Sequence, residues 1–209
     1  MRVYHFLPAK YGIDDVNRRR LKIATLDDLN DPFDLWAVAQ PDAQLRKGLR
    51  EYRKHLASHY GMLCFSRGWH NPLLWSHYGD KHRGMVLGFD VTDKHLNKVE
   101  YVADRPVLKT VDKDIADKLK KKFQDWQYED ELRVFTDLHG RDPPETGLYF
   151  ADFGPELTLR KVISGPLSDT AKSTIEEAVG QYEAPVALTK ARLAFKTFQV
   201  VTNQQGFSE

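Results

Sequence analysis

The sequence is dominated by short apolar runs that polar and turn-forming residues interrupt, and this feature constrains the fold most. The most apolar run, residues 85–89, predicts a central strand, and residues 99–102 are expected to pair beside it. Further strands are predicted at 3–6, 21–25, 62–66, 132–134, 148–150, 157–163, 186–188 and 195–201. Each run is too short for a long buried helix, so a strand-rich fold is expected.

Helical patterns are fewer than strand patterns. Apolar residues recur every three or four positions over 45–60 and about 111–125. Shorter helices are predicted over 14–20, over 72–78 with Pro72 at the first position, and over 168–179 with Ser168 as the cap. Strands and helices neither alternate regularly nor segregate, which predicts an α+β fold with a mixed, largely antiparallel sheet flanked by helices.

Length and charge narrow the class of protein. The 209 residues suit a single domain spanning 1–209, and a net charge of +1 excludes a generally basic nucleic-acid coat while leaving a local basic patch open. No apolar run approaches the roughly 20 residues of a membrane span, and residues 1–6 become polar too early for a signal peptide. Cys64, the only cysteine, cannot form an internal disulfide. A cytoplasmic protein without membrane association is expected.

Several common enzyme classes lack their motifs here. Neither glycine-rich phosphate loop occurs, and neither does the nucleophile-elbow pattern, which argues against P-loop NTPases, Rossmann enzymes and α/β-hydrolases. His55 and His59 are four residues apart on a predicted helix, but no third ligand accompanies them at a standard spacing. No metal is therefore expected, and the basic face of that helix is interpreted as solvated.

The first of three polar clusters is a turn around Asn30 and Asp31, before Pro32 and Phe33. Their side chains can accept hydrogen bonds from nearby backbone groups, which is typical of a turn that shapes the fold. The functional alternative is that these polar groups border a ligand pocket.

The second cluster combines aromatic residues with histidines. Trp75 and Tyr78 share one face of a short predicted helix, with His77 beside them and His82 shortly after. Aromatic rings beside a histidine suit stacking on a planar ring such as nicotinamide or a base. The alternative is an aromatic patch that packs under the apolar strand at 85–89.

The third cluster contains two carboxylates and an arginine. If a strand begins here, its period of two places Glu129, Glu131 and Arg133 on one face, with Leu132 and Val134 facing the core. Two neighbouring carboxylates can divide acid and base roles, and Arg133 can hold one of them in place. The alternative is a solvated strand face with an ordinary ion pair.

These clusters, in this order, resemble a bacterial family called the Domain of Unknown Function 2971 family. The resemblance covers about residues 3–165, leaving 166–209 as a C-terminal extension, and Leu132 departs from it where an aromatic residue, usually tryptophan, is expected. The family has no settled activity, so the resemblance implies a fold more than a function. The motifs that carry it are Tyr4-His5-Phe6, Asn30 to Phe33, Cys64-Phe65-Ser66, Trp75 to Tyr78, His82 to Gly84, Tyr128 to Arg133 and Ile163-Ser164-Gly165.

A more distant pattern is similar to ADP-ribosyltransferases, which use NAD. That resemblance implies that His5 contacts NAD, that Ser66 or Tyr78 supports the nicotinamide ribose, and that Glu131 stabilises a cationic sugar, with Glu129 as its companion. Trp75 or Tyr78 would stack on nicotinamide. The expected residues are Glu131, Glu129 and His77 for catalysis, and Tyr4, His5, Asn30, Asp31, Ser66, Trp75, Tyr78 and Arg133 for NAD binding.

The leading hypothesis is therefore an ADP-ribosyltransferase-like enzyme, a toxin or anti-phage effector, that modifies a protein or nucleic-acid acceptor. A second hypothesis is a nucleic-acid-processing enzyme in which His77, His82 and Glu131 act as acid and base groups. A third is a non-catalytic binding module whose polar clusters only build the core and its rim.

Overall fold

The computed structural model describes residues 1–34, 39, 41–107, 120–139, 147–180 and 182–207, and it confirms the α+β fold. Two 3₁₀ helices, Asp93–His95 and Gln124–Glu129, supplement the main elements. Those elements, in chain order, are β1 (Arg2–Leu7), α1 (Ala9–Arg18), β2 (Arg20–Thr25), α2 (Ala43–His59), β3 (Tyr60–Ser66), α3 (Pro72–His77), β4 (Met85–Val91), β5 (Asn97–Lys98), β6 (Glu100–Val102), β7 (Lys121–Phe123), β8 (Glu131–Asp137), β9 (Tyr149–Asp152), β10 (Leu157–Ser164), α4 (Lys172–Val179), β11 (Ala187–Leu193) and β12 (Val200–Thr202).

The chain forms two compact units that interleave along the sequence. Unit 1 comprises Met1–Leu21, Phe65–Lys94 and Ala151–Glu209. Unit 2 comprises Lys22–Cys64 and His95–Phe150.

Unit 1 is built on a sheet with the strand order β12-β11-β10-β4-β1. Neighbouring strands are antiparallel except β10 and β11, which run parallel with Lys161 opposite Ala187. Met85, Leu87 and Phe89 on β4 have no exposed surface, which confirms the apolar run as a central strand. Their burial supplies the apolar driving force for this unit.

The C-terminal extension expected from the sequence is an integral part of unit 1. Both β11 and β12 belong to the same sheet as β1 and β4, and α4 buries Ile175 and Ala178. Ser168 does not cap α4, because its hydroxyl pairs with Thr170 and the helix begins only at Lys172. That part of the prediction is wrong.

Unit 2 contains a second set of paired strands, in which β3 lies between β2 and β8, and β5 pairs with the far side of β8. β6 pairs in parallel with β7 in a separate two-stranded sheet. The prediction that residues 99–102 lie beside the central strand is therefore wrong.

Two sequence predictions concern residues that the structure describes only in part. Residues 111–119 of the helix predicted over 111–125 lie outside the described residues, but 121–123 form a strand rather than a helix. The sequence Arg141-Asp142-Pro143-Pro144-Glu145 predicts a surface loop, and this segment also lies outside the described residues. The first helix begins at Ala9 rather than Asp14, because Pro8 occupies the cap position and opens the helix.

Within the described ranges, every helix is either too short or too polar to cross a membrane.

Candidate functional site

Five almost completely buried charged side chains of unit 2 are linked to one another by ion pairs, and we name them the buried charge cluster. Glu131 and Arg133 lie on β8, Lys122 on β7, Glu129 at the end of the second 3₁₀ helix, and Asp34 in the turn that follows Asp31. Arg133 is 1% exposed and none of the five exceeds 6%. Charges this deeply buried are maintained only when they are paired and hydrogen-bonded.

Arg133 holds two carboxylates at once. Its Nη1 and Nη2 donate to the two oxygens of Asp34 at 2.9 and 2.7 Å. Its Nε and Nη2 donate to the two oxygens of Glu131 at 2.7 and 2.8 Å. The planar guanidinium thereby fixes the position and orientation of both carboxylates.

Lys122 supplies the second cation of the cluster. Its Nζ lies 2.5 Å from Glu129 Oε2, 3.2 Å from Glu131 Oε2 and 3.6 Å from Asp34 Oδ2. The same ammonium lies 5.0 Å from the centroid of the Trp126 ring, within cation–π range. One lysine therefore links all three carboxylates of the cluster.

The cluster keeps Glu131 ionised. Burial by itself would raise its pKa, but the adjacent Arg133 and Lys122 charges and hydrogen bonds outweigh burial and lower the pKa to about 2. In turn, the carboxylates raise the pKa of Lys122 and of Arg133 despite the opposing effect of burial. Glu131 is therefore a fixed negative charge near neutral pH.

Two neighbouring groups respond to this negative charge. Burial, and then the charge of Glu131, raise the pKa of the Cys64 thiol well above its ordinary value. The Tyr101 hydroxyl accepts a hydrogen bond from Glu131 N at 2.8 Å. Burial is the main reason that the pKa of Tyr101 rises to about 12. Both groups remain protonated near neutral pH.

The period-two prediction for this segment is correct for Glu131 and Arg133 and wrong for Glu129. β8 begins only at Glu131, since Asp130 adopts a left-handed conformation with φ 43° and ends the preceding 3₁₀ helix. Glu129 reaches the cluster from that helix, not along a strand face. The alternative of a solvated strand face with an ordinary ion pair is also wrong, because both faces of β8 are buried at Glu131, Leu132 and Arg133.

Unit 1 contains most of the residues expected to bind NAD. Tyr4 and His5 are half-buried neighbours on β1, so their side chains point to opposite faces of the sheet. The His5 ring makes an edge contact with Phe65 at 6.0 Å between centroids. Ser66 is buried at the end of β3, where its hydroxyl accepts a hydrogen bond from Gly68 N at 3.3 Å.

Trp75 cannot stack on a ligand, which corrects its expected role. It has no exposed surface, its indole donates to Trp69 O at 2.6 Å, and Phe6 packs edge-on against its ring. The alternative of an aromatic residue that packs in the core is the one the structure supports for Trp75. Tyr78 is half-buried and His77 is exposed, so both remain accessible.

A strained turn follows α3. Asp80, Lys81 and His82 all have positive φ values of 47°, 51° and 70°, a conformation that is unfavourable for consecutive non-glycine residues. His82 Nε2 lies 3.1 Å from Ser76 Oγ, and its buried Nδ1 has no hydrogen-bond partner in the part of the chain that the structure describes. Burial lowers the pKa of His82.

The first polar cluster behaves as a turn. Asp31 is buried, and its carboxylate accepts a hydrogen bond from Phe33 N at 2.8 Å. Asp34 N donates to Asp31 O at 3.0 Å, which positions the Asp34 side chain for Arg133. Asn30 is exposed. The turn therefore contributes to the buried charge cluster through Asp34.

Sequence reasoning missed Lys122 and Tyr101 as participants. It placed Asp34 at the end of the first polar cluster, residues 29–34, without giving it a role in binding or catalysis. Lys122 lies inside the helix predicted over 111–125, between the apolar positions 119 and 123, so nothing in the pattern indicated a buried lysine. Among the described residues, no group of three or more histidine, cysteine and acidic side chains is arranged to hold a metal.

Comparisons with known proteins returned nothing: no family model, no curated protein and no solved structure matches this chain.

Proposed function

We propose that this protein is an ADP-ribosyltransferase-like enzyme that cleaves the nicotinamide–ribose bond of NAD and transfers ADP-ribose to a protein or nucleic-acid acceptor. The observation that carries the proposal is the burial of Glu131 as an ionised carboxylate fixed by Arg133 and Lys122. In the reaction, the bonding electrons leave with nicotinamide and positive charge develops on the ribose. The acceptor then bonds to the ribose carbon and releases its proton.

The fixed carboxylate suits this chemistry because it can act electrostatically. A negative charge held in place before the reaction stabilises a developing cation more than it stabilises the neutral sugar of the ground state. Since the pKa of Glu131 is about 2, the side chain holds no proton at neutral pH and cannot act as a general acid. Its role in the proposal is charge stabilisation.

Glu129 is the companion carboxylate of the proposal. Lys122 bonds it at 2.5 Å and bonds Glu131 at 3.2 Å, so one cation orients both acidic side chains. The roles that the resemblance implies for His5, Ser66 and Tyr78 in binding NAD, and for His77 in catalysis, stay predictions from the sequence.

The experiment is to incubate the purified chain with NAD labelled on the adenylate phosphate or on nicotinamide, together with cell lysate and DNA. The proposal expects release of nicotinamide, transfer of the phosphate label to an acceptor, and a rise in the melting temperature with NAD. Heat-denatured protein is the control. Absence of release and transfer, combined with no NAD-dependent shift in melting temperature, would overturn the proposal.

A second candidate function is nucleic-acid processing, which His82 favours specifically. Its low pKa keeps the imidazole neutral at pH 7, and Nε2 already lies within hydrogen-bond distance of the Ser76 hydroxyl. A neutral imidazole beside a hydroxyl can serve as a general base. Cleavage of labelled RNA or DNA should then disappear in His82→Asn and His77→Ala but persist in the exposed helix variant His55→Ala. Equal cleavage by all three variants contradicts this candidate.

A further inference from the structure

The loop between β11 and β12 exposes two phenylalanines almost completely. Phe195 is 89% exposed and Phe198 is 97% exposed. Ala194 N donates to Gln199 O at 2.9 Å and closes the loop. The sequence predicted a strand over 195–201, but only Val200–Thr202 is a strand, so both rings lie at the tip. We name residues 192–204 the aromatic hairpin.

The base of the aromatic hairpin is anchored in unit 1. Val200 is fully buried, and its backbone N–H donates to His70 O at 2.8 Å. The ring nitrogen of His70 bonds Val200 O at 2.7 Å in return. An anchored base holds the exposed rings on a defined surface, where each leaves a large apolar area in water.

Cationic side chains accompany these rings. The Arg192 guanidinium lies 4.4 Å from the centroid of Phe195, and Lys196 separates the two phenylalanines along the chain. No acidic residue occurs in the sequence between Glu183 and Glu209, although Lys190, Arg192 and Lys196 all fall in that stretch. The hairpin is therefore complementary to a polyanion.

A shallow depression of about 390 Å³, largely open to solvent, adjoins the loop. Its walls combine an aromatic ring, two cations and uncharged hydrogen-bonding groups, namely Phe195, Arg192, Lys196, Thr197, Thr202 and Gln204. A planar base beside a phosphate requires this combination of a stacking surface, positive charge and donors.

We propose that the aromatic hairpin binds single-stranded nucleic acid. Phe195 and Phe198 stack on unpaired bases, while Arg192 and Lys196 contact the flanking phosphates. A duplex keeps its bases stacked on each other and offers no free base face to a side chain. A membrane is the less suitable partner, because Lys196 and Thr197 stand between the two rings and interrupt an apolar tip.

The experiment measures fluorescence anisotropy of labelled oligothymidylate and oligouridylate with the full chain. Replacing either phenylalanine by alanine should weaken binding by about 5- to 150-fold, the range typical of a lost base–aromatic stack. Lys196→Glu should also weaken oligonucleotide binding relative to the native chain, because it replaces a cation beside the phosphates by an anion. Phosphate contacts from the two cations Arg192 and Lys196 predict a slope of about −1.4 for the logarithm of the binding constant against the logarithm of salt concentration, at roughly −0.7 per phosphate.

Tyr11→Ala is the matched control, since Tyr11 is a 59% exposed aromatic residue in the same unit and should leave binding unchanged. Duplex DNA and vesicles with anionic headgroups form the other arms. Binding that is equal for duplex, that occurs only with vesicles, or that persists in a Phe195→Ala, Phe198→Ala double variant overturns the proposal. Its outcome is independent of NAD turnover, so it and the proposed function can fail separately.

Discussion

At the scale of single residues, the stability of unit 2 depends strongly on Arg133. Its guanidinium bonds both Asp34 and Glu131 while only 1% exposed. Arg133→Met removes the cation and leaves two buried carboxylates short of a partner, so we expect the free energy of unfolding in urea to fall by about 3–5 kcal/mol.

Arg2→Met is the control for that substitution. Arg2 makes a comparable pair with Asp90, but those side chains are 39% and 42% exposed. Solvent screens an exposed pair, so its loss should cost less than about 1 kcal/mol. Equal losses from the two variants would show that burial does not govern the contribution of Arg133.

The reactivity of the Cys64 thiol depends on its burial and on the nearby charge of Glu131 in the buried charge cluster. Its raised pKa, caused first by burial and then by Glu131, leaves little of the reactive thiolate at pH 8. We expect alkylation of the native protein to be at least about 10-fold slower than alkylation in urea, since each unit of pKa reduces the thiolate roughly tenfold. Because Cys64 is the only cysteine, mass spectrometry reads the rate without ambiguity. Equal rates in the two conditions would contradict a buried Cys64 thiol whose pKa is raised by its surroundings.

At the scale of elements, the turn between α3 and β4 stores backbone strain. Lys81 is exposed and has a φ of 51°, which a glycine adopts without steric cost. We expect Lys81→Gly to raise the free energy of unfolding by about 0.5–1 kcal/mol, since the relief of strain exceeds the added entropy of the unfolded glycine.

Lys47→Gly, at an exposed position of α2, is the control, and we expect it to change the free energy of unfolding in the opposite direction. A glycine inside a regular helix should lower stability by about 1 kcal/mol. If both substitutions destabilise to a similar extent in thermal or urea unfolding, the left-handed conformation at Lys81 costs nothing and the strain argument is wrong.

Elements with strong local patterns were predictable from the sequence. β4 follows from its apolar run, and α2 follows from an apolar stripe whose first turn is capped by Asp42, which accepts from Leu45 N at 2.8 Å. By contrast, β7 has only three residues, too few to show the alternation of apolar and polar residues that predicts a strand. Its buried residue is Lys122, a residue type that sequence patterns place on the surface. Its partner β6 lies about twenty residues earlier, which no local pattern can reveal.

The site was predictable only in part, for a similar reason. Glu131 and Arg133 share a strand face by period two, so their pairing followed from the sequence. Glu129 joins them through a single left-handed residue, Asp130, whose conformation no periodicity encodes. Burial of Trp75 likewise depends on packing against Phe6, which is distant along the chain. Tertiary contacts decide such positions.

At the scale of the whole molecule, two buried carboxyl groups with opposite pKa shifts shape the dependence of stability on pH. The pKa of Glu131 falls from 4.5 to about 2, so its stabilising contribution is present above about pH 4.5 and is lost as pH falls toward 2. Burial raises the pKa of Asp15 from 3.8 to about 7, so the native state loses stability as pH rises through that interval. Maximal stability is therefore expected near pH 4–5.

Urea unfolding at pH 3, 4.5 and 8 tests this pH dependence. Between pH 4.5 and pH 3 the loss at Glu131 should be about 1.5 kcal/mol, roughly half of its full contribution, because pH 3 still lies above its native pKa of about 2. The decline toward pH 8 should be at most about 4 kcal/mol, from the size of the Asp15 shift. Asp15→Asn should abolish most of the decline between pH 4.5 and 8. It should also deepen the acidic decline, because Asp15, whose unfolded pKa is 3.8, no longer offsets part of the loss at Glu131. A variant that retains the full decline toward pH 8 contradicts the assignment to Asp15.

The central claim is that Glu131 stabilises a cationic sugar rather than only the fold, and comparing turnover with stability in Glu131→Gln tests it most directly. Glu100→Gln is the matched control, an exposed glutamate of unit 2 paired with Lys121. We expect nicotinamide release per folded molecule to fall at least about 100-fold in Glu131→Gln, as when one electrostatic group is removed from a transition state, and to stay unchanged in Glu100→Gln. The contrary result is that Glu131→Gln is less stable but releases nicotinamide at an unchanged rate per folded molecule. That result would contradict the claim and identify the buried charge cluster as part of a non-catalytic binding module.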